Sequence, residues 1–182
     1  MNIKICYIDE DGRFGGPQQR MLLVANALNK YKNIFVEFLI PKNDTKIFQE
    51  KLRKFKIKYY KKNITRLSLE PIKLLNYFFF FIFEIIQIYN FLNKNKFHVV
   101  QANSTSQFKA VIASIFLKIN CVWVIEDTNL GKFIKIVFII LSKISKCKIV
   151  YTSENVKKYY LNNSSIKNYT KKIFAPVDLN IF

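Results

Sequence analysis

Short apolar runs alternate with longer amphipathic segments along almost the entire chain. The short runs are rich in β-branched and aromatic residues, which is typical of strands. They predict strands at Ile3–Ile8, Ile34–Ile40, Ile57–Tyr60, His98–Ala102, Cys121–Asp127 and Lys148–Thr152, with a last short strand within 171–182. Helical spacing of apolar residues predicts helices at Pro17–Lys30, Thr45–Phe55, Pro71–Lys94, Ser106–Leu117, Gly131–Ser145 and Glu154–Leu161.

The apolar strands have little polar alternation, which indicates a parallel sheet covered by helices on both faces. We therefore predict an α/β fold with a doubly wound, mostly parallel Rossmann-like sheet. The 182 residues suit one well-buried domain, and no low-complexity linker or internal repeat divides the chain, so residues 1–182 are expected to form a single domain.

Two predicted helices, Pro71–Lys94 and Gly131–Ser145, are unusually apolar. In the first, the polar residues fall within roughly one third of the circumference. Lys73 and Glu84 interrupt the apolar run below the roughly 20 residues that a membrane span needs. Two interpretations stay open: both helices pack on the sheet with their lysines pointing outward, or they form a basic, apolar surface that docks on an anionic bilayer.

The chain is strongly basic, with 30 Lys and Arg against 12 Asp and Glu, a formal charge of +18. This charge would attract anionic membranes, nucleic acid or phosphorylated ligands. A composition rich in Lys, Asn, Ile and Phe, as in proteins from AT-rich genomes, explains part of the excess equally well. Nucleic acid is disfavoured, because the aromatic residues lie in apolar runs and not among basic residues on an exposed platform.

The cysteines give no sign of a metal site. Cys6, Cys121 and Cys147 stand alone beside apolar runs, and His98 is the only histidine, so a Cys/His site is improbable and no metal is expected. An odd number of such cysteines favours buried thiols in a reducing cytoplasm. The N-terminus lacks the apolar segment of a secretory signal, which also favours a cytoplasmic location.

Three of the 4 glycines, Gly12, Gly15 and Gly16, lie between the first strand and the helix that begins near Pro17. Glycine allows close approach of a ligand to the backbone, and a helix N-terminus attracts anions. The spacing is not G-x-G-x-x-G, and Gly131 does not start a P-loop signature. The turn alone fits a purely structural loop as well as a ligand loop.

The segment "GGPQQR" resembles the G-G-x-x-x-R loop of the family 4 retaining glycosyltransferases of GT-B fold. Three further stretches resemble passages of that family in the same order: "FHVVQANSTSQFKAVIASIFLKINCVWVIEDT", "KIVYTSENVKKYYL" and "KKIFAPVDLNIF". The resemblance covers essentially all 182 residues. It departs from the family at Glu126 and Gln101, where many relatives carry histidine, and at Ala175–Pro176, where they carry Asn-Gly.

The resemblance implies the N-terminal, acceptor-side half of an enzyme that moves a sugar from a nucleotide sugar to a lipid-linked or surface-polysaccharide acceptor. The donor is a substrate, and no cofactor is implied. The C-terminal donor-binding domain, or a separate chain that supplies it, would be the partner, and the chain alone is expected to be inactive. An anionic membrane on the cytoplasmic side is a further expected partner. The alternative is a non-catalytic, basic, membrane-associated or partner-binding domain.

The matching positions define the candidate site. Glu126 and Asp127 are the candidate catalytic residues, although a carboxylate at Glu126 would bring negative charge near an anionic donor unless it recognises the acceptor. The candidate residues for binding donor phosphate or acceptor are Gly15, Gly16, Arg20, Asn103, Ser104, Thr128 and Ser153. Each has a structural alternative: Arg20 could lie on a solvated helix face, and the polar residues at strand ends could cap helices.

Overall fold

The computed structural model describes residues 2–128, 131–145, 147–161 and 170–173. The strands are β1 (Ile3–Ile8), β2 (Ile34–Pro41), β3 (Tyr59–Lys62), β4 (Val99–Asn103), β5 (Asn120–Ile125), β6 (Lys148–Tyr151) and β7 (Thr170–Lys172). The helices are α1 (Gly16–Leu28), α2 (Lys46–Lys54), α3 (Pro71–Asn95), α4 (Phe108–Leu117), α5 (Lys132–Ser145) and α6 (Glu154–Leu161).

The strands form one 7-stranded sheet in the order β3-β2-β1-β4-β5-β6-β7. Every pairing in this sheet is parallel. In β1, Ile8 lies opposite Leu39 of β2 and Ala102 of β4, so these three strands end at nearly the same level. The order reverses between β1 and β4, and the carboxyl ends of strands at such a switch point are where open α/β sheets bind ligands.

The predicted fold class is confirmed, and several element boundaries differ by one or two residues. The third strand is β3, two residues later than expected, because Tyr59 pairs with Phe38 while Ile57 is buried before the strand begins. Strand β5 ends at Ile125, and α4 begins at Phe108 instead of Ser106. The last strand is β7, and the expected tail beyond residue 173 lies outside the described residues.

The sheet has a core on each face because alternate strand side chains point to opposite sides. In β1, Cys6 and Ile8 belong to one core and Tyr7 to the other. The larger core centres on fully buried Trp123, whose ring meets that of Phe138 edge-on at 4.7 Å. The smaller core packs α1 and α2 against β2. All three cysteines are free and buried, as the sequence predicts.

Helix α3 is divided into a packed half and an exposed half. Its second half buries Ile88, Phe91 and Leu92 in the larger core. In its first half only Tyr77 is buried. We call the exposed apolar residues of this helix the α3 face: Ile72, Leu75, Phe78, Phe79, Phe80, Ile82, Phe83 and Ile86.

The interpretation that α3 packs on the sheet with its polar side outward is therefore wrong for much of this helix. Glu84, which the helical periodicity places on the polar side, is 5% exposed, whereas Phe83 is 68% exposed. By length and composition α3 would be long enough to cross a membrane. Lys73 and Glu84 therefore do not by themselves exclude a membrane span, contrary to the expectation from the sequence. The second half of the helix is nevertheless part of the helical layer that covers the sheet.

Substitutions in the two halves of α3 should have different effects on stability. Ile88→Ala removes methyl groups from a site with 0% exposure, so we expect the free energy of unfolding to fall by about 2–5 kcal/mol. Ile82→Ala, at 62% exposure, should change it by less than about 0.5 kcal/mol. Urea unfolding followed by circular dichroism measures both, and equal losses would contradict the division of α3.

Candidate functional site at the switch point

The predicted site residues are distributed along the carboxyl ends of β1, β4, β5 and β6. The glycine loop, which we define as Gly12–Gly16, follows β1. Asn103 ends β4, Glu126 follows β5, and Ser153 lies between β6 and α6. Adjacent strands β1, β4 and β5 bring the first three groups together, so one edge of the sheet carries most of the candidate site. Ser153 lies one strand further along the same edge.

Arg20 connects the three strand ends. It lies in α1, and its Nη2 donates a hydrogen bond to Asn103 Oδ1 at 2.6 Å and forms an ion pair with Glu126. Arg20 is 8% exposed, so the alternative of a solvated helix face is wrong. A buried guanidinium must be paired to avoid a large desolvation cost. The pairing with Glu126 and Asn103 therefore fixes the orientation of α1 against β4 and β5.

The environment of Glu126 favours its protonated form more than water does. Burial raises the pKa of its carboxyl group, and the charge of Arg20 opposes this shift. The carboxylate at the position where the family has histidine thus has a structural partner of opposite charge. The negative charge of Glu126 is balanced by Arg20.

The glycine loop leaves free space at two of its three glycines. A Cβ added at Gly16 would meet nothing within 4 Å, and one at Gly15 would meet only Gln18 Oε1 at 3.5 Å and Pro17 Cδ at 3.9 Å. Gly16 is the first residue of α1 and precedes Pro17, a position where a side chain disfavours the helical conformation. Its N–H and that of Gln18 have no carbonyl acceptor within the helix, because α1 begins here. This helix end could accept an anion.

Gln18 holds the loop in place by two hydrogen bonds of opposite sense. Its Oε1 accepts the N–H of Gly15 at 3.0 Å, and its Nε2 donates to Asp9 Oδ2 at 2.7 Å. Asp9 also accepts the N–H of Asp11 at 2.8 Å. Burial raises the pKa of Asp9 to about 7, against the lowering effect of these hydrogen bonds. The N–H of Gly15 is therefore already hydrogen-bonded. The first N–H of the loop that could bind an anion is that of Gly16.

Gly12, in contrast, is required by packing. A Cβ at this position would lie 2.4 Å from the carbonyl oxygen of Asn43 and 2.8 Å from Thr45 Cγ2. The loop after β1 therefore passes directly against the loop after β2. This close approach explains one glycine of the cluster without a ligand.

Asn103 and Ser104 do not cap the helix that follows them. The N-cap of α4 is Gln107, without a side-chain cap hydrogen bond, and Asn103 is engaged by Arg20. Ser104 has φ of 91°, an unfavourable conformation for a residue with a Cβ. Trp123 Nε1 donates to its carbonyl oxygen at 2.9 Å and thereby helps to hold it. Strained residues are enriched at functional sites, which agrees with the position of Ser104 at the switch point.

The remaining candidate residues, Asp127, Thr128 and Ser153, lie in different environments. Asp127 is half-buried and Thr128 is exposed beyond the end of β5, and α5 begins only at Lys132. Ser153 Oγ accepts the N–H of Val156 at 3.3 Å, the geometry of a helix N-cap. The structural alternative that the sequence allowed for Ser153 is thus observed.

Sequence reasoning missed a buried charge cluster behind the glycine loop. Lys109, with 0% exposure, donates from Nζ to Glu84 Oε2 at 2.5 Å and to the carbonyl oxygen of Thr65 at 2.5 Å. Its Nζ also lies 3.6 Å from Glu10 Oε2 and 4.0 Å from the centroid of the Tyr77 ring. The signal in the sequence was a single lysine inside the apolar segment "FKAVIASIFL".

Glu10 is the least satisfied member of this cluster. Within the described part of the chain, neither of its carboxylate oxygens has a hydrogen-bond partner. Burial raises the pKa of Glu10 to about 7, and the nearby charge of Lys109 opposes the shift. Among the described residues, no group of three or more His, Cys, Asp or Glu side chains is arranged to hold a metal ion.

Known structures share this fold at low sequence identity. HepE of Anabaena, solved in complex with UDP and glucose, matches 100% of this chain with a TM-score of 0.71 and 15% identity. MurG of Acinetobacter baumannii matches 86% with a TM-score of 0.58 and 16% identity. The UDP-GlcNAc 2-epimerase of Neisseria meningitidis, bound to UDP-GlcNAc, matches 93% with a TM-score of 0.62 and 16% identity. No family model and no curated protein matches.

The chain has the Rossmann-like α/β fold found in GT-B glycosyltransferases and in UDP-GlcNAc 2-epimerases. It spans less than half the length of these proteins, 46% of HepE, 42% of MurG and 45% of the epimerase. At such identities the likeness establishes the fold and leaves the chemistry to the residues of the site.

The glycine loop provides a test of which glycine is required for folding. Gly12→Ala should lower the free energy of unfolding by about 1–3 kcal/mol, because its Cβ would collide with the backbone of the neighbouring loop. Gly15→Ala should change it by less than about 1 kcal/mol, since Gly15 has an extended backbone, with φ of −148°, and room for a methyl group. Thermal unfolding of the two variants compares them, and a larger loss for Gly15→Ala would contradict this assignment.

Proposed function

We propose that this chain is the acceptor-binding half of a glycosyltransferase that uses a nucleotide sugar. The observation that carries the proposal is the open space around Gly15 and Gly16 at the N-terminus of α1, one turn before the buried Arg20. Structural neighbours with this fold include proteins solved with UDP or a UDP-sugar, which supports a nucleotide-sugar donor. By resemblance, the enzyme belongs to the family 4 retaining enzymes and transfers to a lipid-linked or surface-polysaccharide acceptor.

In this proposal, the positive end of α1 faces the diphosphate of the donor. The N–H groups of Gly16 and Gln18 at this helix end would stabilise the negative charge that develops when the sugar leaves. Glu126 and Asn103 hold the side chain of Arg20 in position, which fixes α1 at this edge. Glu126 and Asp127, at the end of β5, would face the acceptor, whose hydroxyl groups can donate hydrogen bonds to a carboxylate. Asn103, Ser104, Thr128 and Ser153 complete this edge.

Catalysis would need a donor-binding domain, either C-terminal in the same protein or on a separate chain. By itself the chain would be inactive, because most contacts to the nucleotide lie on that domain in the resembling family. No metal or cofactor enters the proposal, and the nucleotide sugar is the second substrate. The proposed location is the cytoplasm, on the inner face of the membrane.

The proposal predicts transfer that depends on the glycine loop. We expect the chain, combined with its donor-binding domain, to transfer radiolabelled sugar from a UDP-sugar panel to membrane-extracted acceptors. Gly15→Leu should reduce this transfer at least about tenfold, because the new side chain fills the space next to the helix N-terminus. Ala27→Leu, on an exposed position of the same helix, is the control and should retain full transfer.

Two results would refute the proposal. One is absence of transfer in the complete assembly with every nucleotide sugar of the panel. The other is transfer that Gly15→Leu leaves unchanged while circular dichroism shows a folded protein. Activity of the chain alone would refute the narrower claim that the donor-binding domain is needed.

A second candidate function is that of a basic, membrane-associated domain, with or without catalysis. It is favoured by the α3 face, where Ile72 is 77% exposed and Leu75 is 70% exposed. Exposed apolar patches of this kind mark interaction surfaces. With a formal charge of +18, the chain suits an anionic bilayer. This function is also compatible with the first, since a peripheral enzyme could reach a lipid-linked acceptor.

Membrane docking predicts co-sedimentation with anionic liposomes that weakens at high salt. The double variant Ile72→Ser/Leu75→Ser should bind at least about tenfold more weakly, because two large apolar side chains no longer enter the bilayer. Phe35→Ser is the control, since Phe35 is exposed but lies near the start of β2, at the opposite edge of the sheet. Failure to bind, or equal loss in the control, would count against docking through the α3 face.

A further inference from the structure

Two neighbouring cavities lie between α3 and the loops that follow β1, β2 and β3. The larger has a volume of about 630 Å³ and the smaller about 210 Å³. Both are lined by Asn43, Ile64 and Thr65, so they share one wall. The pair therefore forms a continuous surface from the α3 face to the end of β1.

The larger cavity has the character of a site for an apolar chain. Three phenylalanines of α3 line it, Phe79, Phe80 and Phe83, and Ile64 lies on the shared wall. Phe79 and Phe83 are 70% and 68% exposed, so these rings have little cover from the protein itself. An apolar ligand would remove this surface from water, with a gain of about 25 cal/mol per Å² buried.

The smaller cavity has a largely polar lining, and one buried carboxylate in it lacks a hydrogen-bond donor. Glu10 lines it at 4% exposure, and among the described residues neither of its carboxylate oxygens has a hydrogen bond, although Lys109 Nζ lies 3.6 Å from Oε2. A buried acceptor without a donor is costly, and a ligand hydroxyl would satisfy it. Asn43 and Asp11 lie in the same cavity and offer further amide and carboxylate groups.

The charges around the smaller cavity favour a hydroxylated ligand over a phosphate. Its three basic residues are already paired, Arg13 and Arg66 with Asp11 and Lys73 with Glu70. Its lining also includes the carboxylates of Glu10, Asp11 and Asp44. A phosphate would find no excess of positive charge here, whereas sugar hydroxyls can both donate to carboxylates and accept from amides.

We infer that the two cavities together bind one glycolipid, with its apolar chain against Phe79, Phe80 and Phe83 and its sugar at Glu10. The inference rests on the proposed function, for which it specifies a lipid-linked acceptor and its location. The sugar end would lie beside the loop after β1, on the same edge of the sheet as the glycine loop.

Isothermal titration of the purified chain tests the inference without any donor or transfer. The probes are an octyl glucoside below its micelle concentration, free glucose, and a phosphocholine with the same alkyl chain but no hydroxyl groups. We expect the glucoside to bind at least about tenfold more tightly than either other probe, because it alone fills both cavities.

Two variants locate the two ends of the ligand. Phe83→Ser and Glu10→Gln should each weaken octyl glucoside binding at least about fivefold, by loss of apolar contact and of the charged acceptor respectively. Phe116→Ser is the matched control for the first, because Phe116 is 67% exposed on α4 and does not line either cavity. Asn43→Ala, at an exposed position, replaces Glu10→Gln if thermal unfolding shows that the latter is destabilised.

The outcomes are decisive in each direction. Equal binding of the phosphocholine, or unchanged binding in both Glu10→Gln and Asn43→Ala, would overturn the sugar end. Equal weakening by Phe116→Ser and Phe83→Ser would show general adsorption to apolar surface and overturn the chain end. Glucoside binding as expected, with no transfer in the complete assembly, would refute the transferase and leave a glycolipid-binding domain.

Discussion

The architecture around the site depends on one buried ammonium group. Lys109 is fully enclosed, and its Nζ joins α4 to Glu84 of α3, to the backbone of Thr65 and to Glu10 after β1. A charge without access to water must keep its partners, so these segments cannot move independently. Glu84 faces Lys109, whereas Phe79 and Phe83 of the same helix are exposed to solvent.

At the switch point, Arg20 is likewise a buried cation that must keep its partners. There a second buried cation is held by Asn103 and Glu126 from two different strands. One of the two cationic centres fixes α1, and the other fixes the layer of α3 and α4. Between them the loop after β1 carries Asp9 and Glu10, whose carboxyl groups have raised pKa values because both are buried. The edge is therefore preorganised by ion pairs within the protein.

The sequence predicts the strands and the fold class well, because local apolar periodicity determines both. It fails for α3, since periodicity describes a helix by its own polarity, and the partner that turns Glu84 inward is 25 positions away. It also treats the glycines alike, although Gly12 is required by the carbonyl of Asn43 from another loop. Their positions after successive predicted strands suggest one edge for Arg20, Asn103 and Glu126, but their mutual pairing depends on strand order, which no local pattern contains.

The two hydrogen bonds of Gln18 restrict which residues can stand at this position. One end of its amide accepts the Gly15 N–H and the other donates to Asp9, so both polarities are needed on the same side chain. Glutamate would present a second carboxylate to Asp9, and asparagine is one methylene too short to reach from α1 to both groups. Few side chains can therefore replace Gln18, even though it contributes nothing to the hydrophobic core.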